Sequence, residues 1–283
     1  MMLESKKMLL QNLDRNNEEQ GISKAQAEYL LSCRKEKWVI RIWQWVIMVL
    51  FLGLWELGAR IGFINDFVFS SPSRVVETMV SMAKDGSLWY HTGVTLAETF
   101  VSFLLILFFG IGIAVLLWWN TRLSGIFEPY LVMLNSLPKS ALAPVFIVWL
   151  GANMKTIIVA AVSVAVFGSV LTLYHSFAET EEDKLKLITT LGGTKKDILK
   201  KVILPGNIPT VISLMKVNLG LALVGVIIGE FLAARAGLGY LIIYGSQVFQ
   251  LNMVIMSIII LCVIALGLYQ GIQVVERQVK KRI

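Results

Sequence analysis

The stretch Glu179–Pro209, ETEEDKLKLITTLGGTKKDILKKVILPGNIP, decides how the rest of the chain is read. It is the longest charged segment between two strongly apolar ones, and Gly192-Gly193 divides it into two short helices. Thr180 followed by Asp183, and Thr194 followed by Asp197, have the spacing of capping boxes, with Asp in place of the usual Glu or Gln. Gly192 is placed to end the first helix in a left-handed conformation. Leu187, Ile188 and Leu191 give that helix one apolar face, and Ile198, Leu199, Val202 and Ile203 do the same for the second. Pro205 closes the unit. A mere connection between two membrane helices has no need of two capped amphipathic helices, so this segment is expected to be docked against.

Working outward, the chain has 283 residues, of which 56% are hydrophobic and 16% charged. A soluble globular chain averages about 25% charged residues, so this composition belongs to a polytopic membrane protein. The expected fold is all-α: a helical bundle of about six transmembrane helices, with a polar tail at residues 1–37 and one membrane domain over 38–283. Ser23-Lys24-Ala25-Gln26 opens a helix in the tail that reaches about Lys37, and no signal peptide is expected because the first apolar run starts late. Spans are expected near Trp38–Ala59, Thr99–Thr121, Pro129–Leu150, Thr156–His175, Thr210–Leu232 and Asn252–Val275. Ser71-Pro72 starts an amphipathic helix that ends near Asp85-Gly86. Pro138 and Pro144 should kink or break the third span, which is tolerated only against protein or a water-filled cavity. Gly110 and Gly112 allow close packing in the second. Cys33 and Cys262 are expected at different depths, with no disulfide, and His91 and His175 are too few and too scattered for a metal site.

Charge asymmetry orients the bundle. Eight Lys/Arg lie at positions up to Arg41, one is Arg122, six fall in the Glu179–Pro209 stretch and four at the C-terminus, against Arg60, Arg74, Lys84, Lys155 and Arg235 on the other side. Both termini and residues 177–207 are therefore expected in the cytoplasm, and residues 60–92 and 233–250 outside. The same bias accounts for the net charge of +7 without nucleic acid.

The punctuation of the central stretch resembles the coupling motif of ABC importer permeases of the type I fold. Gly192, nine further residues, and then Val202-Ile203-Leu204-Pro205 match it, with Lys186, Leu187 and Ile188 where that family usually has Glu-Ala-Ala. Pro72-Ser73-Arg74-Val75, Leu137-Pro138 with Ala141, Pro144 and Trp149-Leu150-Gly151, and Gly237-Leu238-Gly239-Tyr240 resemble its nitrate/sulfonate/taurine branch. Glu230 stands where the family commonly has a Glu before the Gly-Leu-Gly-Tyr element. The resemblance implies a second permease copy, two cytoplasmic ATPase subunits that bind ATP and Mg, an external substrate-binding protein, and a coupling role for Leu187, Ile188, Leu191, Gly192, Gly193, Leu204 and Pro205. It also implies cargo such as a sulfonate, taurine, nitrate or a vitamin precursor. There is no Walker Gly-x-x-x-x-Gly-Lys-Ser/Thr, so hydrolysis is not expected in this chain.

Ionisable residues inside spans usually face a bundle interior or a cavity, which singles out Lys139, Lys216 and Glu230. Glu230 is expected on the dimer interface or the path. Lys216 can snorkel to the interface, and Glu56 and Glu98 are placed as interfacial carboxylates. Pro138, Asn135, Ser136, Ser163 and Asn218 are further candidates for lining a path. The rival reading is a self-sufficient secondary transporter or channel, whose matching broken helices in two halves find no convincing repeat here.

Overall fold

The structure is a computed structural model that describes residues 24–61 and 70–280; the side chains of residues 24–35 and 280 lie outside the description. The chain divides into two units, Met1–Asp66 and Phe67–Ile283. In the first, α1 runs Lys24–Arg60 as one continuous helix, so the expected tail helix and first span are not separate elements. No Gly or Pro interrupts the junction at Lys37-Trp38, and the stretch Glu36–Arg60 is long and apolar enough to cross a membrane. The start of the expected capping box, Ser23, lies outside the described residues, as does Cys33's side chain.

The second unit begins with α2, Pro72–Lys84, capped at Ser71 and carrying Pro in its first turn. Then follow α3 (Ser87–Trp119), α4 (Thr121–Ser136), α5 (Lys139–Leu150) and α6 (Met154–Ala178). The central stretch holds α7 (Glu182–Thr190) and α8 (Lys195–Ile198), which continues through a π turn, Leu199–Ile203, and a last turn, Leu204–Gly206. The chain ends in α9 (Ile208–Ala233), α10 (Leu238–Gln247) and α11 (Leu251–Lys280). Among the described residues, α3, α6, α9 and α11 also have the length and apolar character to span, and α4 and α5 have it only taken together, with a bend of 97° at the break between them. The bend sits at Leu137-Pro138, where the residue before proline is forced into extended backbone (φ −65°, ψ 141°). Pro144 stays inside α5 without breaking it.

At 33 residues, α3 is about 50 Å long, well beyond the roughly 30 Å hydrocarbon thickness, so part of it stands clear of the membrane core. It packs with α6 and α9 around Phe103, Ile106, Ala165, Leu219 and Ala222. Without a hydrophobic drive between helices in lipid, small residues set how closely they approach. A Cβ on Gly225 would come within 2.6 Å of the Ala161 Cα, and one on Gly229 within 3.0 Å of Ile157. Gly110 likewise meets Ser169, whereas Gly112 faces open space and takes no part in the expected close packing. A second core, at the end of the bundle away from α7, joins α2, α3, α9, α10 and α11 through Val75, Leu88, Leu223, Leu238 and Met256.

Candidate functional site

The segment between α6 and α9 is built as two capped helices, with one difference from expectation. Glu179 still belongs to the end of α6, its N–H donating to the His175 carbonyl at 2.8 Å. Thr180 is therefore spent in the turn, the N-cap falls on Glu181, and the cap uses no side-chain hydrogen bond. The end of α7 is a full Schellman turn: Gly193 N–H reaches Ile188 O (2.8 Å), Gly192 N–H reaches Thr189 O (3.0 Å), and Gly192 has φ +78°. Gly193 lies directly against Ile188, which leaves no space for a Cβ. Thr194 and Asp197 then form the reciprocal capping box of α8. The Thr194 hydroxyl and N–H, with the Lys201 ammonium, hold the Asp197 carboxyl well below the usual carboxylate range.

The two helices use their apolar faces differently. Ile203 is buried with Ala114, Leu173 and Phe177, and Leu185, Ile198, Leu199 and Leu204 pack around them. Leu187 and Leu191 remain 60% and 75% exposed, and Ile188 is half-buried in the helix end. The π turn precedes Pro205: Leu204 N–H bonds Leu199 O, five residues back, just before a residue that has no N–H. Pro205 therefore does not close the unit; Asn207 does. Its side chain, 6% exposed, donates to Ile203 O (2.8 Å) and accepts from the Ser176 hydroxyl (2.5 Å), tying the segment to the end of α6. Lys195 reaches across to the last carbonyl of α3, Trp119 O (2.6 Å), and lies over the Trp118 and Trp119 rings. A cation at a helix C-terminus satisfies an orphan acceptor and complements the dipole. The Ser176–Asn207 and Lys195–Trp119 bonds have no local pattern that marks them, because the partners are 31 and 76 positions apart.

The other singled-out residues do not come together. Asn135, Ser136 and Pro138 are exposed at the α4–α5 bend, and Lys139 donates to the Asn135 carbonyl. The Asn135 side chain rests on Gly168 of α6. Ser163 is half-buried and bonds back to Ala160 O. Asn218 is buried and hydrogen-bonded to Ser169, joining α9 to α6. Lys216 does not snorkel alone: it pairs with Glu276 of α11 and lies over the Tyr269 ring. Glu56 pairs with Arg60 at 2.8 Å.

Glu230 is 1% exposed, sealed inside the subunit rather than presented to a path or a second copy. It is one knot of a hydrogen-bonded cluster. Thr95 Oγ1 donates to Glu230 Oε1 (2.7 Å), Gly239 N–H donates to Oε2 (2.5 Å), and Leu238 N–H donates to Thr95 Oγ1 (2.8 Å). Gly237 N–H donates to His91 Nδ1 (3.0 Å), whose ring stacks on Tyr240. Gly237, at φ +117°, passes so close to the carboxylate that a side chain there would overlap it. Glu98 is also buried, 2% exposed. The cluster fastens α3, α9 and the turn into α10, and its members His91 and Thr95 lie more than a hundred residues from Gly237 and Leu238, whose N–H groups they accept from, out of reach of any spacing rule.

Residues 106–281 match the family described as the inner membrane component of binding-protein-dependent transport systems. The chain is similar to a "Probable ABC transporter permease protein" of Haemophilus influenzae, 31% identical over 227 residues, 80% of this chain and 92% of that protein. It is similar to the formylaminopyrimidine transport permease protein ThiX of Halalkalibacterium halodurans, 28% identical over 69% of this chain and 77% of that protein. In fold it is similar to a chain of the MetNI methionine ABC transporter in an inward-facing conformation, with TM-score 0.59 and 20% identity over 68% of this chain and 97% of the other. With the matched residues running from α3 through the capped segment to the end of α11, this all-α membrane chain belongs to the family of binding-protein-dependent transport system inner membrane components, permease subunits of ABC importers and transport proteins rather than enzymes.

Proposed function

We propose that the chain, paired with a second permease copy, forms the translocation path of an importer, and that residues 177–207 seat in a groove of a cytoplasmic ATPase subunit. Two such ATPases hold ATP and Mg, an external substrate-binding protein delivers the cargo, and both termini face the cytoplasm. The observation that carries this reading is the contrast within the segment. Leu185, Ile198, Leu199, Ile203 and Leu204 are taken up by the bundle around Phe177, while Leu187 and Leu191 stand free on the same rigidly capped unit. Burying one such side chain contributes roughly 1.5–3 kcal/mol in transfer terms, and a few central anchors carry most interface energy. Leu204 and Pro205 and the Gly192-Gly193 turn serve as the stiff frame that transmits movement to α9. Asn135, Pro138 and Lys139 line the path at the α4–α5 bend, and Asn218 and Glu230 shape it from behind. The cargo is a small anion or a vitamin precursor; the likeness to a formylaminopyrimidine permease favours the second.

Leu191→Asp places a charge where an apolar anchor is needed, and Gly192→Val forces a β-branched residue to φ +78°. Both variants are expected to leave the permease in the membrane and to lose uptake, with ATP hydrolysis either uncoupled or absent because the ATPase has dissociated. ATPase activity and uptake of the purified complex are measured side by side. Native transport with the ATPase retained in both variants would refute the coupling role.

A further inference from the structure

The two ends of the spanning part of α1 treat their cations differently. Arg41 and Arg60 lie 19 positions apart. That is about 28 Å along a helix, close to the roughly 30 Å hydrocarbon thickness, so in a spanning helix both sit at headgroup level. Glu56 is the one charged residue between them, one turn from Arg60, and it pairs with that guanidinium at 2.8 Å. Nothing comparable serves the other end. Among the described residues no carboxylate forms an ion pair with Lys37 or Arg41. Glu36 falls about 100° round the helix from Lys37 and about 140° from Arg41. Lys37, Trp38, Arg41 and Trp45, in contrast, share an arc of about 100°, each three or four positions from another member. All four are exposed. The continuity of α1 makes them one face, since a break at Lys37-Trp38 would have parted Lys37 from the other three.

We propose that this face of α1 binds the headgroup of an anionic phospholipid. The phosphate accepts hydrogen bonds from the Arg41 guanidinium, whose planar fork matches two phosphate oxygens, and from the Lys37 ammonium. Trp38 and Trp45 flank the phosphate and hold the face at headgroup depth, apolar ring toward the acyl chains and N–H toward water. Charge complementarity selects the lipid. Two cations that the chain leaves uncompensated need a net anion, which phosphatidylglycerol supplies. The phosphatidylcholine headgroup carries its own ammonium, which already offsets its phosphate. Free phosphate has the same oxygens but no acyl chains to place it at this depth, and it competes with bulk water for its hydration. Arg60, neutralised within its own helix by Glu56, offers no equivalent site. The helix is thus closed electrostatically at one end and open at the other, and the open end is where the bilayer completes it.

The test uses the full chain in phosphatidylcholine nanodiscs that carry a trace of phosphatidylglycerol with a photoreactive group near its headgroup. After illumination, the label on residues 37–45 is mapped by mass spectrometry and compared with that from the matching phosphatidylcholine probe. The wild type should be labelled there preferentially by the anionic probe, and unlabelled phosphatidylglycerol should displace it. A cation close to an anionic headgroup is worth about fivefold in binding, so Lys37→Gln/Arg41→Gln should lower the labelling at least fivefold. Both changes are at exposed positions and Gln is a good helix former, so helix content by circular dichroism should be unchanged. Glu56→Gln/Arg60→Gln, which removes the neutralised pair on the same helix, should keep the wild-type labelling. Equal labelling of the wild type by the two probes overturns the proposal, and is the result expected if an acidic protein segment is the natural occupant. It is overturned equally by wild-type labelling in Lys37→Gln/Arg41→Gln, by the same loss in Glu56→Gln/Arg60→Gln, or by displacement of the probe with inorganic phosphate.

Discussion

At the scale of single residues, polar groups in this bundle are positioned by backbone geometry as much as by their own chemistry. Glu230 is usable as a staple only because Gly237 lacks a Cβ and can sit at φ +117°. Gly237→Ala should therefore cost on the order of 2–4 kcal/mol, combining the strained conformation with displacement of the carboxylate from its donors. Gly112→Ala, in open space in the middle of α3, should be neutral or stabilising by up to about 1 kcal/mol. Thermal midpoints of the two variants in one detergent would separate these outcomes, and equal midpoints would refute the close packing at Gly237. Asp197 shows the reverse situation, an exposed carboxylate whose state follows from its cap. Its hydrogen bonds to Thr194 and its pairing with Lys201 are at full strength above the ordinary aspartate range and fade as pH falls below it.

At the scale of elements, the capped segment was the most legible part of the chain. The Schellman turn at Gly192 and the capping box at Thr194 depend on residues within five positions of one another, so their spacing is written in the sequence. Thr180 misled because its role was already fixed by where α6 ends, which is a matter of the preceding helix. The docking of the segment was not legible, since Lys195 and Trp119 are 76 positions apart. Lys195→Gln should weaken that docking by about 0.5–1 kcal/mol, the range for a cation at a helix C-terminus. Hydrogen exchange would report it as faster exchange across residues 195–206 with α3 unaffected. Unchanged protection there would mean that the apolar seat around Ile203 holds the segment by itself.

At the scale of the whole molecule, the nineteen-to-five charge asymmetry predicts which end of the bundle meets the cytoplasm. A cysteine at Lys84 should react with an impermeant maleimide in intact cells, and one at Lys196 only after the membrane is opened; labelling of Lys196→Cys from outside would reverse the assignment. What the sequence determined by itself is what short-range physics controls: the apolar runs of membrane length, the break at Leu137-Pro138, the glycine and capping punctuation, and the family they resemble. Each depends on length, periodicity or neighbours a few residues away, and each survives whatever the rest of the chain does. Only the tertiary structure decided where the polar side chains went. Glu230 was expected at a dimer interface or a path and is closed inside α3, α9 and the turn; Lys216 found Glu276 sixty residues away. In a bundle whose helices are apolar on every side, periodicity does not say which face is turned inward. A buried carboxylate is stable only where remote donors converge on it, and that convergence is set by how the helices pack.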